Sequence, residues 1–365
     1  MTSGDLITRL KIALPIVQAP MAGGPTTPEL VAAVSAAGGL GSIGAGYLTH
    51  AQIAASAAAI RARSDCPFAL NLFVGGFGTA TEQEVLAAQR MLAPIRRELG
   101  LAEYGEPPSR LAEDLEAQIE AVLAAAPAVF SFTFGVPDAA VLERCRALGI
   151  LTVGTATTVE EALELERAGV DAVCAQGGEA GGHRGTFLGA MDDALIGTMA
   201  LVPQIVDRVR VPVIASGGIM DGRGIAAALA LGAQAAQLGT AFLLCPEAGT
   251  SAPYRAALKD AALTSTTRVT RAFSGRHARG IVNRFMREID AHGAELPPYP
   301  VQNALTREIR QAAAKAGRTE FLSLWAGQAA PMARELPAGE LVRALGDELR
   351  EALARLAQAA RSYQR

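Results

Sequence analysis

Short apolar runs that close on glycine, proline or a polar residue recur along the chain at 16–20, 40–45, 68–73, 128–135, 151–156, 172–177, 211–218 and 235–242. Helical patterns fill the intervals at 28–37, 50–63, 137–148, 158–168, 196–209 and 221–231. Continuous apolar runs, rather than alternating ones, suit parallel strands covered on both faces, and the regular return of helices between them is the α/β signature. About eight such runs is the number that closes a parallel barrel, so the pattern predicts a (β/α)8 TIM barrel. Local punctuation agrees. Thr158-Val159-Glu160-Glu161 can cap a helix, the Thr hydroxyl and the Glu three residues on satisfying free backbone amides. Gly169 and Gly232 each sit between a helix and the following strand, where a left-handed C-cap needs glycine.

Two departures from the alternation set the domain plan. The stretch 75–127 is too long for a simple βα connection and holds helical patterns at 82–99 and 110–125 around a Pro107-Pro108 turn, which predicts decoration on the barrel rim. After Phe242 the alternation stops, and 243 to about 332 reads as helices and loops with a turn at 296–300; the closing stretch 338–360 is strongly helical. The predicted organisation is a barrel formed by 1–242 plus about 333–365, with an inserted, mainly helical domain at about 243–332 that covers the strand ends. The apolar stretches 31–48 and 224–244 are rich in Ala and Gly, and each splits into a helix, a glycine turn and a strand, so they are read as α/β core and not as membrane spans.

Composition narrows the partners. The balance of 33 Lys+Arg against 36 Asp+Glu gives a net charge of −3 and no electrostatic case for nucleic acid or an anionic membrane. Cys66, Cys145, Cys174 and Cys245 lie far apart without a C-x-x-C pair, which excludes a zinc ribbon and a dense disulfide framework. Together with an N-terminal stretch that lacks the basic and apolar regions of a secretory signal, this predicts a cytoplasmic protein.

Barrel sites lie at the C-terminal ends of the strands, so the residues that close each run carry the candidate chemistry. The first run ends in Gln18-Ala19-Pro20-Met21-Ala22-Gly23-Gly24, where small residues let a flat ligand approach the backbone. Asn71 is a polar amide in an apolar strand that either satisfies local backbone or faces a ligand. In Gln176-Gly177-Gly178-Glu179-Ala180-Gly181-Gly182-His183-Arg184-Gly185 four glycines precede an imidazole that can titrate near neutrality; His50, His277 and His292 have no such setting. Glycines after runs seven and eight, Gly217-Gly218 and Gly239 with Thr240, stand where barrels hold a phosphate on backbone N–H groups. No G-x-x-x-x-G-K-[ST], no G-x-S-x-G and no convincing metal-ligand spacing occurs. A phosphorylated organic cofactor is the remaining reading.

These segments resemble the nitronate monooxygenase family, formerly 2-nitropropane dioxygenases, over most of the chain: Gln18 to Gly24, Ser131-Phe132-Thr133-Phe134-Gly135, the loop carrying His183, Ala215 to Ile219, and Gln237 to Phe242. The resemblance implies an FMN-dependent oxidoreductase that converts alkyl nitronates, and by extension nitroalkanes, with O2 to carbonyl compounds and nitrite without NAD(P)H. It implies His183 as the catalytic residue, either hydrogen-bonding the nitro oxygens or removing the α-proton. Ala19, Met21, Ala22, Asn71, Gln176, Gly181, Gly218, Gln237, Leu238, Gly239 and Thr240 are the implied cofactor residues, and Met21, Thr133 and Tyr299 the implied substrate pocket. Tyr299 either closes over the substrate or belongs to a packed turn. Thr133 departs from the His that some members carry in the fourth-strand motif, and Asn303 and Arg307 follow Tyr299 in the insert. NADH-dependent enoyl-acyl-carrier-protein and quinone reductases share the phosphate loops and are the rival enzymes, with a non-enzymatic FMN-binding protein as a third reading. A homo-oligomer is compatible with all of them.

Overall fold

Among the described residues eleven strands occur: β1 (Ile16–Gln18), β2 (Gly41–Gly44), β3 (Phe68–Phe73), β4 (Val129–Thr133), β5 (Leu151–Ala156), β6 (Ala172–Gln176), β7 (Gly182–His183), β8 (Val213–Ser216), β9 (Ala235–Leu238), β10 (Thr267–Thr270) and β11 (Ala278–Ile281). The structure is a computed structural model and describes residues 5–105, 111–292 and 296–362; the Pro107-Pro108 turn lies outside these. Eight strands form one parallel sheet in the order β1-β9-β8-β6-β5-β4-β3-β2. A parallel bridge between Val17 and Leu40 joins its two ends, giving the (β/α)8 TIM barrel. Gln18 reinforces that seam. It is fully buried, accepts from Ser42 N at 3.0 Å and donates to Ser42 O at 3.2 Å.

Side chains alternate along a strand, and the two faces of this sheet meet different cores. Leu70, Phe130, Phe132, Val173, Ala215 and Leu238 face the helical layer. Ala69, Val129, Val153, Cys174, Ile214 and Ala235 point inward and pack with Leu6, Leu10 and Ile12. The helix Leu6–Leu10, capped by Asp5, thus plugs the N-terminal end of the barrel, and it is an element the hydrophobic pattern did not predict. The final helix, Ala338–Ser362, buries Leu341, Val342, Leu345 and Leu349 against the barrel, each worth roughly 1.5–3 kcal/mol.

A separate core collects Leu243, Phe273, Phe285 and Phe321 from the 243–332 stretch with Ala88, Leu92 and Ile95 from the helix Glu82–Glu98. The rim helix therefore packs with this segment. The stretch read as helices and loops also contains β10 and β11, which pair antiparallel with each other, and β11 pairs antiparallel with β7.

Gly222 opens the helix Gly222–Ala230 directly under the last helix, and a Cβ there would overlap the backbone of Glu348 and Leu349. Backbone cannot rotate away, so overpacking of about 1–3 kcal/mol outweighs the helix-propensity gain of at most about 1 kcal/mol. Gly222→Ala is expected to lower stability by about 1–2 kcal/mol in urea denaturation; an unchanged midpoint would contradict this packing.

Candidate active site

The inward positions near the C-terminal strand ends are polar where those below are apolar: Asn71, Ser131, Thr133, Thr155, Gln176, Ser216 and Gln237 line a cavity of about 700 Å³, within the roughly 300–1,000 Å³ of small-molecule and cofactor pockets. Of the residues singled out from sequence, Ala19, Met21, Ala22, Asn71, Thr133, Gln176, Gly181, His183, Gly218, Gln237, Gly239 and Thr240 are in its wall. Two are not. Leu238 follows Gln237 on the same strand, so its side chain falls on the opposite face, in the core beneath the helices. Tyr299 is 3% exposed and packs with Phe73 and Phe134 behind the wall, as a residue of a packed turn does.

Gly182 and His183 are held as a strand because they pair with Arg279 and Ala278 of β11. Two further contacts fold the loop around them. Gln176 donates from Nε2 to His183 O at 3.0 Å and accepts from Gly185 N at 2.8 Å, so its amide braces the loop. The buried Arg184 guanidinium donates to the carbonyls of Gly177, Gln176 and Ala194 at 2.6, 2.9 and 3.0 Å. Gly181 has no room for a Cβ, which would strike Ala326 and Gly327; Gly327 N in turn donates to Thr240 Oγ1 at 3.0 Å.

His183 is half-buried in an aromatic surround, with ring centroids of Trp325, Phe134, Phe73 and Tyr299 at 5.6, 5.9, 6.2 and 6.2 Å. Its Nε2 lies 2.8 Å from Ser274 Oγ. Burial, helped by the cations of Arg276 and Arg310, pushes the imidazole down to about 3 from 6.5, so the ring is neutral through the physiological range. Arg276 sits 3.8 Å over the Phe134 ring; Phe134 itself takes φ 79°, a conformation that costs a non-glycine residue about 1–3 kcal/mol and clusters at functional sites. Arg310 donates to Asn303 O and Oδ1 at 2.8 and 2.9 Å. Arg307 and Arg310 line the cavity, as does the carboxylate of Glu113, while Arg276 lies behind the wall and feels the charge of Glu161.

On the opposite side, Gly217 and Gly218 take φ 121° and 70°. The backbone N–H groups of Gly218, Ile219 and Gly239 have no acceptor among the described residues, and Thr240 stands beside them. Unpaired amides converging after β8 and β9 form a cradle with the chemistry of an anion site. Tyr47, Phe273, Ser274, Arg276 and Arg310 were not identified from sequence; they lie on connections or in the 243–332 stretch, where no strand-end pattern marks them.

A parallel barrel with an amide cradle and a neutral histidine facing one cavity at its strand ends is the layout of a barrel enzyme. The family model for nitronate monooxygenase matches residues 5–348, and the chain belongs to that family of oxidoreductases. A probable nitronate monooxygenase of Staphylococcus aureus strain JH9 is 44% identical over 340 residues, covering 92% of this chain and 94% of the relative. Among solved structures, nitroalkane oxidase from Streptomyces ansochromogenes superposes with a TM-score of 0.89 at 45% identity, over 96% of this chain and 99% of that one. FabK from Thermotoga maritima follows this chain with a TM-score of 0.76 at 29% identity, over 97% and 98%.

The depressed histidine has a measurable consequence. The unfolded chain takes up a proton at His183 below about pH 6.5, whereas the folded protein does not until about 3, so His183's contribution to stability is complete above 6.5 and falls as pH drops towards 3. Between about pH 7.5 and about pH 5.5 wild type is expected to lose roughly 1 kcal/mol more than His183→Asn in urea denaturation. Equal losses would mean that His183 is protonated in the folded state.

Proposed function

We propose that this protein is an FMN-dependent nitronate monooxygenase, oxidising alkyl nitronates with O2 to carbonyl compounds and nitrite without NAD(P)H. The observation that carries the reading is the joint presence, in one cavity, of the unpaired amide cradle and the neutral His183. Family membership supports it, as do the likenesses to the Staphylococcus aureus relative and to the Streptomyces ansochromogenes nitroalkane oxidase. We also infer a cytoplasmic location: no helix among the described residues is long and apolar enough to cross a membrane, and the four cysteines are free thiols, as a reducing compartment keeps them.

The cavity residues fit FMN. The N–H groups of Gly218, Ile219 and Gly239 and the Thr240 hydroxyl would take the phosphate, since no lysine or arginine is needed where oriented amides converge. Ala19, Met21 and Ala22 offer a low wall for a planar ring, and Asn71 and Gln237 offer amides to its polar edge. Bound there, FMN supplies the electron-transfer and oxygen chemistry. The chain's own part is placement. His183, neutral and facing the cavity, can hydrogen-bond the nitro oxygens of a nitronate or accept the α-proton of a neutral nitroalkane. Arg276 and Arg310 favour an anion beside it. We propose that 243–332 serves as the cover of this site, since Tyr254, Phe273, Asn303, Arg307 and Trp325 line the same cavity as the strand ends and would exclude water from it.

Purified protein reconstituted with FMN is expected to take up O2 with a nitronate as sole reductant, and not with NADH; NADH consumption without nitronate oxidation would favour a flavin reductase, and neither activity a binding protein. Gly218→Asp is expected to weaken FMN retention at least about tenfold, because it sets a side chain and a negative charge at a φ of 70° in the cradle. Undiminished flavin on the purified variant would remove the phosphate from this loop.

A further inference from the structure

Ser274 lies in the turn between β10 and β11 and is 2% exposed. Its hydroxyl meets three groups: His183 Nε2 at 2.8 Å, Arg276 O at 3.0 Å and Arg276 N at 3.3 Å. These partners settle where the protons go. Arg276 O can only accept, and among the described residues no other group donates to it; Arg276 N can only donate. Ser274 has one proton. Giving that proton to Arg276 O satisfies a carbonyl that otherwise has no donor and leaves Ser274 Oγ as an acceptor towards the histidine.

We propose that Ser274 is a positioning residue that holds His183 in its Nε2–H tautomer, the proton lying on Ser274 Oγ, so that Nδ1 carries the ring's lone pair. Nδ1 has no protein partner among the described residues, and the ring lines the cavity. The chain Nε2–H to Ser274 Oγ–H to Arg276 O runs in one direction and ends on a carbonyl of the turn that β11 anchors. Its purpose follows from the reading of His183 given above, on which this part rests. When a neutral nitroalkane is deprotonated, the Cα–H bond breaks and its proton moves to Nδ1. The electron pair forms the C=N bond of the nitronate, and the nitro oxygens take the negative charge. His183 then carries a positive charge in an aromatic surround beside Arg276 and Arg310, and the hydrogen bond from Nε2–H to Ser274 is the contact that stabilises it. A preformed nitronate needs no such transfer.

The test has two readouts. In a long-range ¹H–¹⁵N correlation spectrum of protein labelled at histidine, with His183 assigned by loss of its signals in His183→Asn, wild type at neutral pH is expected to show a protonated Nε2 and an unprotonated Nδ1. In Ser274→Ala the proton is expected to distribute over both nitrogens. A proton on Nδ1 in wild type, or an unaltered spectrum in Ser274→Ala, overturns the proposal. In kinetics with FMN bound, Ser274→Ala is expected to lower kcat for a neutral nitroalkane roughly tenfold to a hundredfold, part of the roughly 10²–10⁴ that a positioned base contributes. Turnover of the preformed nitronate is expected to change less than about threefold, and Ser274→Thr, which keeps the hydroxyl, to restore most of the nitroalkane rate. Equal loss on both substrates overturns the positioning role. If wild type acts on neither substrate, the functional reading fails while the spectrum still decides the tautomer.

Discussion

The antiparallel pairing of Gly182 and His183 with β11 is the contact on which the site depends. Three of the five residues between β6 and β7 are glycine, the loop is held from inside by Gln176 and Arg184, and a Gly-rich loop has the largest conformational entropy to lose on ordering. Two residues of strand pairing give it an edge to register against. They also bring Ser274 and Arg276 of the 270s turn to the imidazole. The barrel supplies the cavity walls, and this pairing supplies the orientation of the imidazole that faces it.

The electrostatics follow from the same arrangement. A histidine in an aromatic surround next to two guanidinium groups is neutral at rest near neutrality. The cations of Arg276 and Arg310 already act on the ring, so protonation would add a third positive charge there, and the neutral ring beside them suits an anionic neighbour. On the far side, unpaired amides after β8 and β9 offer a second anion site without a formal charge. The two sites are of different kinds, a fixed dipole cradle and a cationic wall, as a cofactor phosphate and a small anionic substrate would require.

Much of this was legible in the chain. The barrel strands are short apolar runs closed by turn residues, and period-two alternation then picks out Asn71, Gln176 and Gln237 as inward polar positions. Applied to β4, β5 and β8, the same rule points to Ser131, Thr155 and Ser216, and it explains why Leu238 belongs to the outer core. The helix Leu6–Leu10 is too short to show a period. β7 has two residues, and β10 and β11 carry arginine and glycine, so no hydrophobic pattern announces the second sheet. Ser274 and His183 are 91 residues apart, a contact made by tertiary pairing alone. Tyr299 illustrates the converse: an aromatic in a proline turn had a packing role open to it from the start, and it is buried with Phe73 and Phe134.

The central claim is that this cavity holds a flavin that nitronates, and not nicotinamides, reduce. Anaerobic mixing of the flavin-loaded protein with an alkyl nitronate, and separately with NADH, while following flavin absorbance tests it most directly. The account expects the flavin to bleach with the nitronate and to keep its colour with NADH. Bleaching by NADH alone would contradict it.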